Sequence, residues 1–128
     1  MKKPSQHIRI IDHITTQYTS DPEHLWAKYP EYTVFRNART KKWFALIMNV
    51  PANRIGMRGD DSVYIIDLHI PPAFVSTILP DNMFMPGYHM NKKTWTTIVL
   101  DDRLSDEKII PLINASFTST GLNRPHQA

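Results

Sequence analysis

The residues of this sequence best suited to chemistry are cations, and they are concentrated in two stretches that contain no acid. Six Lys and Arg residues lie between Tyr32 and Gly59, and two more lie between Asn82 and Leu100. Cations gathered on one surface attract a phosphate backbone. Lysines on strand edges and turns also serve solubility and block unwanted strand pairing. The pattern therefore leaves two interpretations open, a DNA-binding surface or an ordinary charged rim, for Arg36, Arg39, Lys41, Lys42, Arg54, Arg58, Lys92 and Lys93.

Aromatic residues accompany these cations. Trp43, Tyr88 and Trp95 lie beside them in sequence, and rings in such positions can stack on bases. A Trp inside a strand is more often part of the core, which is the alternative for Trp43. Two further interpretations apply to the stretch from Tyr88 to Trp95. Asn91 can simply close a turn, or the stretch can line a ligand pocket with Tyr88, His89, Asn91 and Trp95.

Catalytic and metal sites have little support in the sequence. No two of the six histidines are spaced as neighbours on a helix, a spacing often seen in metal sites. No serine stands in a glycine-flanked nucleophile elbow, and there is no cysteine. Gly56-Met57-Arg58-Gly59 has the spacing of a nucleic-acid GxxG loop, but Asp60 follows it and a turn is favoured. We therefore expect no enzyme, no metal and no cofactor.

Length and composition fit one domain. The chain has 128 residues, a net charge of +3 and 41% hydrophobic residues, enough for a single ordinary core. No apolar run approaches the roughly 20 residues of a membrane helix, and Met1 to Gln6 lack the apolar stretch of a signal peptide. We expect a cytoplasmic protein with no membrane partner and a single domain over residues 1–128.

The ends of the chain carry helical patterns. Ser5 can cap a first helix with Ile10 and Ile14 on its apolar face. A short second helix is expected to contain Leu25, Trp26 and Tyr29 and to end at Pro30. Residues 1–30 would then contain two N-terminal helices.

The last helix follows Ser105 as its cap. Pro111 predicts a kink there or a start near Ile110. Gly121 predicts a left-handed C-terminal cap, and residues 122–128 are expected to form a flexible tail.

The middle of the chain is predicted to form β-strands. Tyr32–Phe35 and Trp43–Val50 form a predicted hairpin, and Val63–Leu68 and Trp95–Leu100 are further strands. Both alternating sets of the second strand are apolar, so both of its faces should be covered. A short helix is expected to start at Pro71-Pro72. Strands grouped between helices predict an α+β domain with a mainly antiparallel sheet.

The stretch Pro86-Gly87-Tyr88-His89-Met90-Asn91-Lys92-Lys93-Thr94-Trp95 closely resembles the signature of the MmcQ/YjbR family. The resemblance extends from about Tyr32 to Gly121 and includes Val34-Phe35-Arg36, Lys42-Trp43-Phe44-Ala45-Leu46, Leu68 and Ser116-Phe117. Three positions depart from the usual pattern. His69 replaces a common Lys, Thr94 replaces a His that often precedes the Trp, and Asp102 replaces a turn Gly.

The resemblance implies a frataxin-like fold, with helices packed on one face of a twisted antiparallel sheet. It also implies a double-wing DNA-binding motif, in which two hairpin-like wings contact the duplex. Arg36 to Lys42 would form one wing and His89 to Lys93 the other. Frataxin handles iron on an acidic helical surface, but the first helix here carries only Asp12, so no iron role is expected.

Two functional hypotheses result. The first is a non-enzymatic protein that binds double-stranded DNA weakly and with little sequence preference through its basic hairpins. The alternative is a small module that binds a protein or a small ligand in a pocket near Tyr88, His89 and Trp95.

Overall fold

One five-stranded antiparallel sheet organises the chain, and its strand order is β1-β2-β3-β5-β4. The computed structural model describes residues 4–122. The predicted α+β class and antiparallel sheet are confirmed. The elements are α1 Gln6–Gln17, β1 Thr33–Arg36, β2 Trp43–Pro51, β3 Ser62–Leu68, α2 Pro72–Val75, β4 Met85–Pro86, β5 Thr96–Val99 and α3 Asp106–Gly121, with short 3₁₀ helices at Ala52–Ile55 and Asp81–Met83.

The helices cover one face of the sheet. Ile10 and Ile14 of α1 and Ile109 of α3 are fully buried against Phe44 and Ile66. Each such side chain contributes about 1.5–3 kcal/mol when it leaves water completely. This layer is the main core of the domain.

The second face of the sheet is also apolar, but irregular segments cover it. Leu46 and Met48 of β2 and Ile65 of β3 are buried there. Trp26 and Tyr88, from segments before β1 and after β4, pack against them. The prediction that β2 is covered on both faces is confirmed, and this second layer contains the pocket described below.

A polar cluster joins the N-terminal ends of α1 and α3. Gln6 Nε2 donates to the carbonyl of Leu104 and to Asp106 Oδ1, at 2.8 Å each, and Gln6 Oε1 accepts from the Asp102 N–H. Arg9 donates to both oxygens of Asp106 at 2.9 and 3.0 Å. Asp102 has a left-handed backbone with φ 67°, which explains why the resembling family usually has Gly at this position.

Ser116 ties α3 to the sheet. Its hydroxyl donates to the Phe44 carbonyl at 2.5 Å and accepts from the His69 N–H at 2.8 Å. The side chain is completely buried. A single hydroxyl therefore fixes α3 against β2 and against the chain that leaves β3.

The predicted second helix is wrong. Residues 18–32 contain only turns and one isolated bridge. The Glu23 N–H donates to the Val34 carbonyl at 3.0 Å and the Val34 N–H donates to the Glu23 carbonyl at 2.9 Å. Pairing with the free edge of β1 satisfies these backbone groups better than a one-turn helix, so the N-terminal region has one helix.

Two expectations about α3 are contradicted by the structure. The helix begins at Asp106, so the alternative start near Ile110 is wrong. Gly121 is helical and not left-handed. Its missing side chain leaves room for Asn37, whose Nδ2 would lie 3.1 Å from a Cβ added there. Most of the expected tail, residues 123–128, lies outside the described residues.

We predict that Ser116→Ala lowers the free energy of unfolding by about 2 kcal/mol, because the buried His69 N–H loses its acceptor. Ser119→Ala is the matched control, since that hydroxyl makes only one long bond of 3.4 Å. Urea unfolding measures both. Equal stabilities of the two variants would contradict the proposed tie.

Candidate functional site

Two basic loops leave the same end of the sheet. Leu68 pairs with both Ala45 and Thr96, and Thr96 also pairs with Pro86. The turn between β1 and β2, residues 37–42, and the loop between β4 and β5, residues 87–95, therefore project from one end. We call it the basic end. The two loops belong to the two edges of the sheet.

Hydrogen bonds from side chains of the turn 37–42 to backbone carbonyls of α3 hold this turn in place. Asn37 Nδ2 donates to the Phe117 carbonyl at 3.2 Å, and the Thr40 hydroxyl donates to the Thr120 carbonyl at 2.8 Å. These bonds fix the backbone and leave the three cations of the turn, Arg39, Lys41 and Lys42, exposed to solvent.

Asn91 organises the loop 87–95. Its side-chain oxygen accepts from the Lys93 N–H at 2.9 Å, and its carbonyl accepts from the Trp95 N–H at 2.9 Å. Lys92 Nζ donates to the Gly87 carbonyl at 2.9 Å. Asn91 thus closes the turn. Lys92 and Lys93 are both exposed, but the ammonium group of Lys92 is bonded within the loop.

The eight predicted DNA-binding cations do not share one surface. Arg54 and Arg58 follow the end of β2 that is opposite to the basic end, and of the two only Arg54 approaches the loop 87–95, where it lines a small pocket with Lys92. Arg36 lies at the basic end, but its Nε donates to Glu23 at 2.9 Å and its guanidinium covers Trp43 at 5.8 Å. Six of the eight lie at the basic end: Arg36, Arg39, Lys41, Lys42, Lys92 and Lys93.

Acidic residues are concentrated at the other end of the sheet. Asp60 and Asp61 precede β3, and a second acidic group follows β5. This group extends from Asp101 into the first turn of α3, where Asp106 and Glu107 lie. Arg9 and Arg103 form ion pairs with Asp102, Asp106 and Asp101 at that end, so the excess of positive charge lies at the basic end.

A concave pocket of about 520 Å³ lies on the second face of the sheet. Of the four residues predicted for a pocket, Tyr88 and His89 lie in its lining and Asn91 and Trp95 do not. Trp95 is buried and packs against the edge of His69, with ring centroids 4.8 Å apart. We call this the aromatic pocket, and its lining consists of Trp26, Tyr29, Tyr32, Trp43, Leu46, Met48, Pro51, Arg54, Tyr88, His89 and Met90.

Sequence reasoning assigned only two of the eleven lining residues, Tyr88 and His89, to a pocket. Trp26 and Tyr29 were assigned to a helix, and the pairing of Glu23 with Val34 places them beside Trp43 instead. Arg54 was grouped with the DNA-binding cations. The available signal was the density of aromatic residues between positions 26 and 32, which a one-turn helix does not require.

The backbone of the loop 87–90 is tightly constrained where it crosses the sheet. A Cβ added at Gly87 would lie 2.6 Å from the Trp95 Cβ. His89 has a left-handed backbone with φ 61°, an arrangement that costs of order 1 kcal/mol in a non-glycine residue. The Tyr88 N–H donates to the Thr97 hydroxyl at 2.8 Å. Tyr88 and His89 are therefore held in fixed positions over the pocket.

A buried carboxyl group lies under this loop. Asp67 of β3 pairs across the sheet with Leu46 on one side and Thr97 on the other. One carboxyl oxygen accepts from the Thr97 hydroxyl, and the other has no partner among residues 4–122. Burial raises the pKa of Asp67 to about 7, against the opposing effects of the Thr97 hydrogen bond and the charge of Lys92.

His69 lies between the two basic loops. Burial lowers its pKa, and the charge of Lys42 lowers it further, so both effects favour the neutral ring. Its Nδ1 is buried without a partner in the part of the chain that the structure describes.

The described residues meet neither the requirements of a metal site nor those of a membrane-spanning helix. Within residues 4–122, no three His, Asp or Glu residues are grouped so that they could hold a metal ion. None of the described helices is both long and apolar enough to cross a membrane.

The sequence model of the YjbR family matches residues 16–119. The chain belongs to the YjbR family. This confirms the resemblance drawn from the Tyr88–Trp95 stretch, and the three departures at His69, Thr94 and Asp102 are variations within the family.

Known members of the family share the whole domain. The chain is 36% identical over 111 residues to the uncharacterized protein YyaQ of Bacillus subtilis, covering 87% of this chain and 94% of YyaQ. A crystal structure of a Pseudomonas syringae structural-genomics target is 38% identical with a TM-score of 0.82, covering 94% of this chain and 99% of that one. A solution NMR structure from the same species and target is 39% identical with a TM-score of 0.80, covering 94% and 97%.

We predict that Gly87→Ala destabilises the domain by about 2–3 kcal/mol, because the new methyl group overlaps the Trp95 side chain. Gly56→Ala is the comparison: it has open space but φ 79°, so only backbone strain of about 1 kcal/mol applies. Thermal unfolding followed by near-ultraviolet circular dichroism measures both. The packing argument fails if Gly87→Ala is the more stable of the two.

Asp67 should make stability depend on pH. Its folded pKa lies above the unfolded value of 3.8, so the folded state binds the extra proton between about pH 4 and pH 7. The free energy of unfolding should fall by up to about 4 kcal/mol as pH rises through this window.

Asp67→Asn keeps the polar contacts and removes the titration, so its stability relative to wild type should rise from pH 4 to pH 8. Urea unfolding at several pH values measures the difference, and Asp61→Asn, at an exposed position, is the control. Parallel profiles for wild type and Asp67→Asn would refute the assignment.

Proposed function

We propose that this YjbR-family protein is a non-enzymatic protein that binds duplex DNA through the two loops of the basic end. The observation that supports the proposal is the placement of the turn 37–42 and the loop 87–95 at one end of the sheet, opposite the acidic clusters. An elongated polyanion approaching the basic end meets cations first, because the acids are held at the far end of the strands.

The spacing of the loops is compatible with a groove. Neighbouring strands lie about 4.8 Å apart, and three spacings separate the β1–β2 pair from the β5–β4 pair. The two loops therefore start roughly 14 Å from each other, close to the major-groove width of about 12 Å. Loops at this separation can contact the phosphates on both sides of one groove.

Four of the eight predicted cations support this proposal. Arg39, Lys41, Lys42 and Lys93 are exposed at the basic end and make no ion pair within residues 4–122. Four phosphate contacts give a slope of log affinity against log salt of about −3.6. The proposed contacts are to phosphates, which position a protein without reading sequence. Binding is therefore weak and largely independent of sequence.

We predict that Lys41→Gln/Lys42→Gln reduces the magnitude of the salt slope for a 20-base-pair duplex by about 1.8, from two lost phosphate contacts. Arg58→Gln/Lys108→Gln removes the same net charge from two exposed positions at the opposite end and should leave the slope nearly unchanged. Fluorescence anisotropy between about 20 and 200 mM salt measures the slopes. The proposal is contradicted if the wild type shows no salt-dependent binding, or if both double variants reduce the salt slope by the same amount.

A further inference from the structure

We infer that the aromatic pocket binds a small planar aromatic molecule that carries an anionic group. This inference concerns the second face of the sheet and does not rest on DNA binding. Its lining cation, Arg54, belongs to neither basic loop. Failure of one proposal therefore leaves the other intact.

The shape of the pocket selects a planar ligand. Its walls come from three separate segments of the chain, residues 26–32, β2 with the turn that follows it, and the loop 87–95. Trp26 stands edge-on to both Trp43 and Tyr32, with ring centroids 5.8 and 5.9 Å apart. Tyr29 stacks on Tyr32 at 4.7 Å. Such walls favour a flat ring through stacking and edge contacts, and a volume of about 520 Å³ suits a small molecule.

The charges of the lining residues decide whether the ligand is an anion or a cation. Aromatic walls also suit cations, because the face of an aromatic ring attracts an ammonium group. Here the lining includes Arg54 and no carboxylate. A bound cation would meet the Arg54 guanidinium with no acid in the lining to balance it, whereas an anion would gain a charge-assisted hydrogen bond. The pocket therefore favours a carboxylate or another anionic substituent on the ring.

The pocket is held in shape without a ligand. Reciprocal backbone bonds between Glu23 and Val34 hold the segment that carries Trp26. The Tyr64 hydroxyl donates to Glu31 at 2.9 Å beside Tyr32. The opposite wall is fixed by the bond from the Tyr88 N–H to Thr97. Because these walls are already ordered, binding loses little conformational entropy.

The test uses three naphthalene probes that differ only in the charge of one substituent: 2-naphthoate, 2-naphthalenemethanol and 2-naphthylmethylammonium. Titration into ¹⁵N-labelled full-length protein at pH 7.5 is followed by NMR. Saturable shifts are expected at the indole N–H signals of Trp26 and Trp43 and not at Trp95, which lies outside the lining. We expect 2-naphthoate to bind at least tenfold more tightly than the ammonium probe.

Arg54→Gln should reduce the affinity for 2-naphthoate to that of the neutral alcohol and leave the alcohol unaffected. Arg58→Gln removes an exposed cation from the same turn without altering the lining, and it should bind 2-naphthoate like wild type. Both positions are exposed, so both variants should fold. Equal or tighter binding of the ammonium probe, equal effects of the two variants, or no saturable shift at Trp26 and Trp43 would overturn the inference.

Discussion

The structure depends on a central strand that is apolar on both faces. In β2, Phe44 and Ile47 face the helices, while Leu46 and Met48 face the other way. A sheet with such a strand must be covered on both sides, since leaving one side in water would forfeit most of its hydrophobic stabilisation. The α-helices α1, α2 and α3 cover only the first side, and on the second side the 3₁₀ helix after β2 contributes Ile55. The irregular segments 23–32 and 87–95 have to cover the second.

Covering a sheet with irregular chain has a structural consequence. Loops carry backbone polar groups that need partners, so they meet the sheet at a few fixed points and do not pack along it as a helix does. Glu23 pairs with Val34 at one edge, and Tyr88 bonds Thr97 at the other. Between these anchors the large rings of Trp26, Trp43 and Tyr88 border open space that they do not fill. The aromatic pocket is thus a product of how the second face is closed.

The sequence predicts the sheet well and this second layer poorly, for a physical reason. The continuous apolar run of β2 and the β-branched run of β3 are local patterns, and the structure confirms both strands. The non-helical course of residues 23–32 depends on the pairing of Glu23 with Val34, eleven residues later, at the free edge of β1. Asp67 was not singled out, because a single acid within a strand shows its burial only when the loop above it is placed.

The charge pattern also has one part that is visible in the sequence and one part that depends on the folded sheet. Acid-free stretches are visible in the sequence, but only the strand register puts Lys42 and Lys93 at one end and Arg54 at the other. The family position that is commonly Lys is here His69, whose neutral form burial favours. Its ring packs on Trp95 beneath the loops. Under the proposed function, this chain therefore attracts phosphate with the tips of the two loops and not with the surface between them.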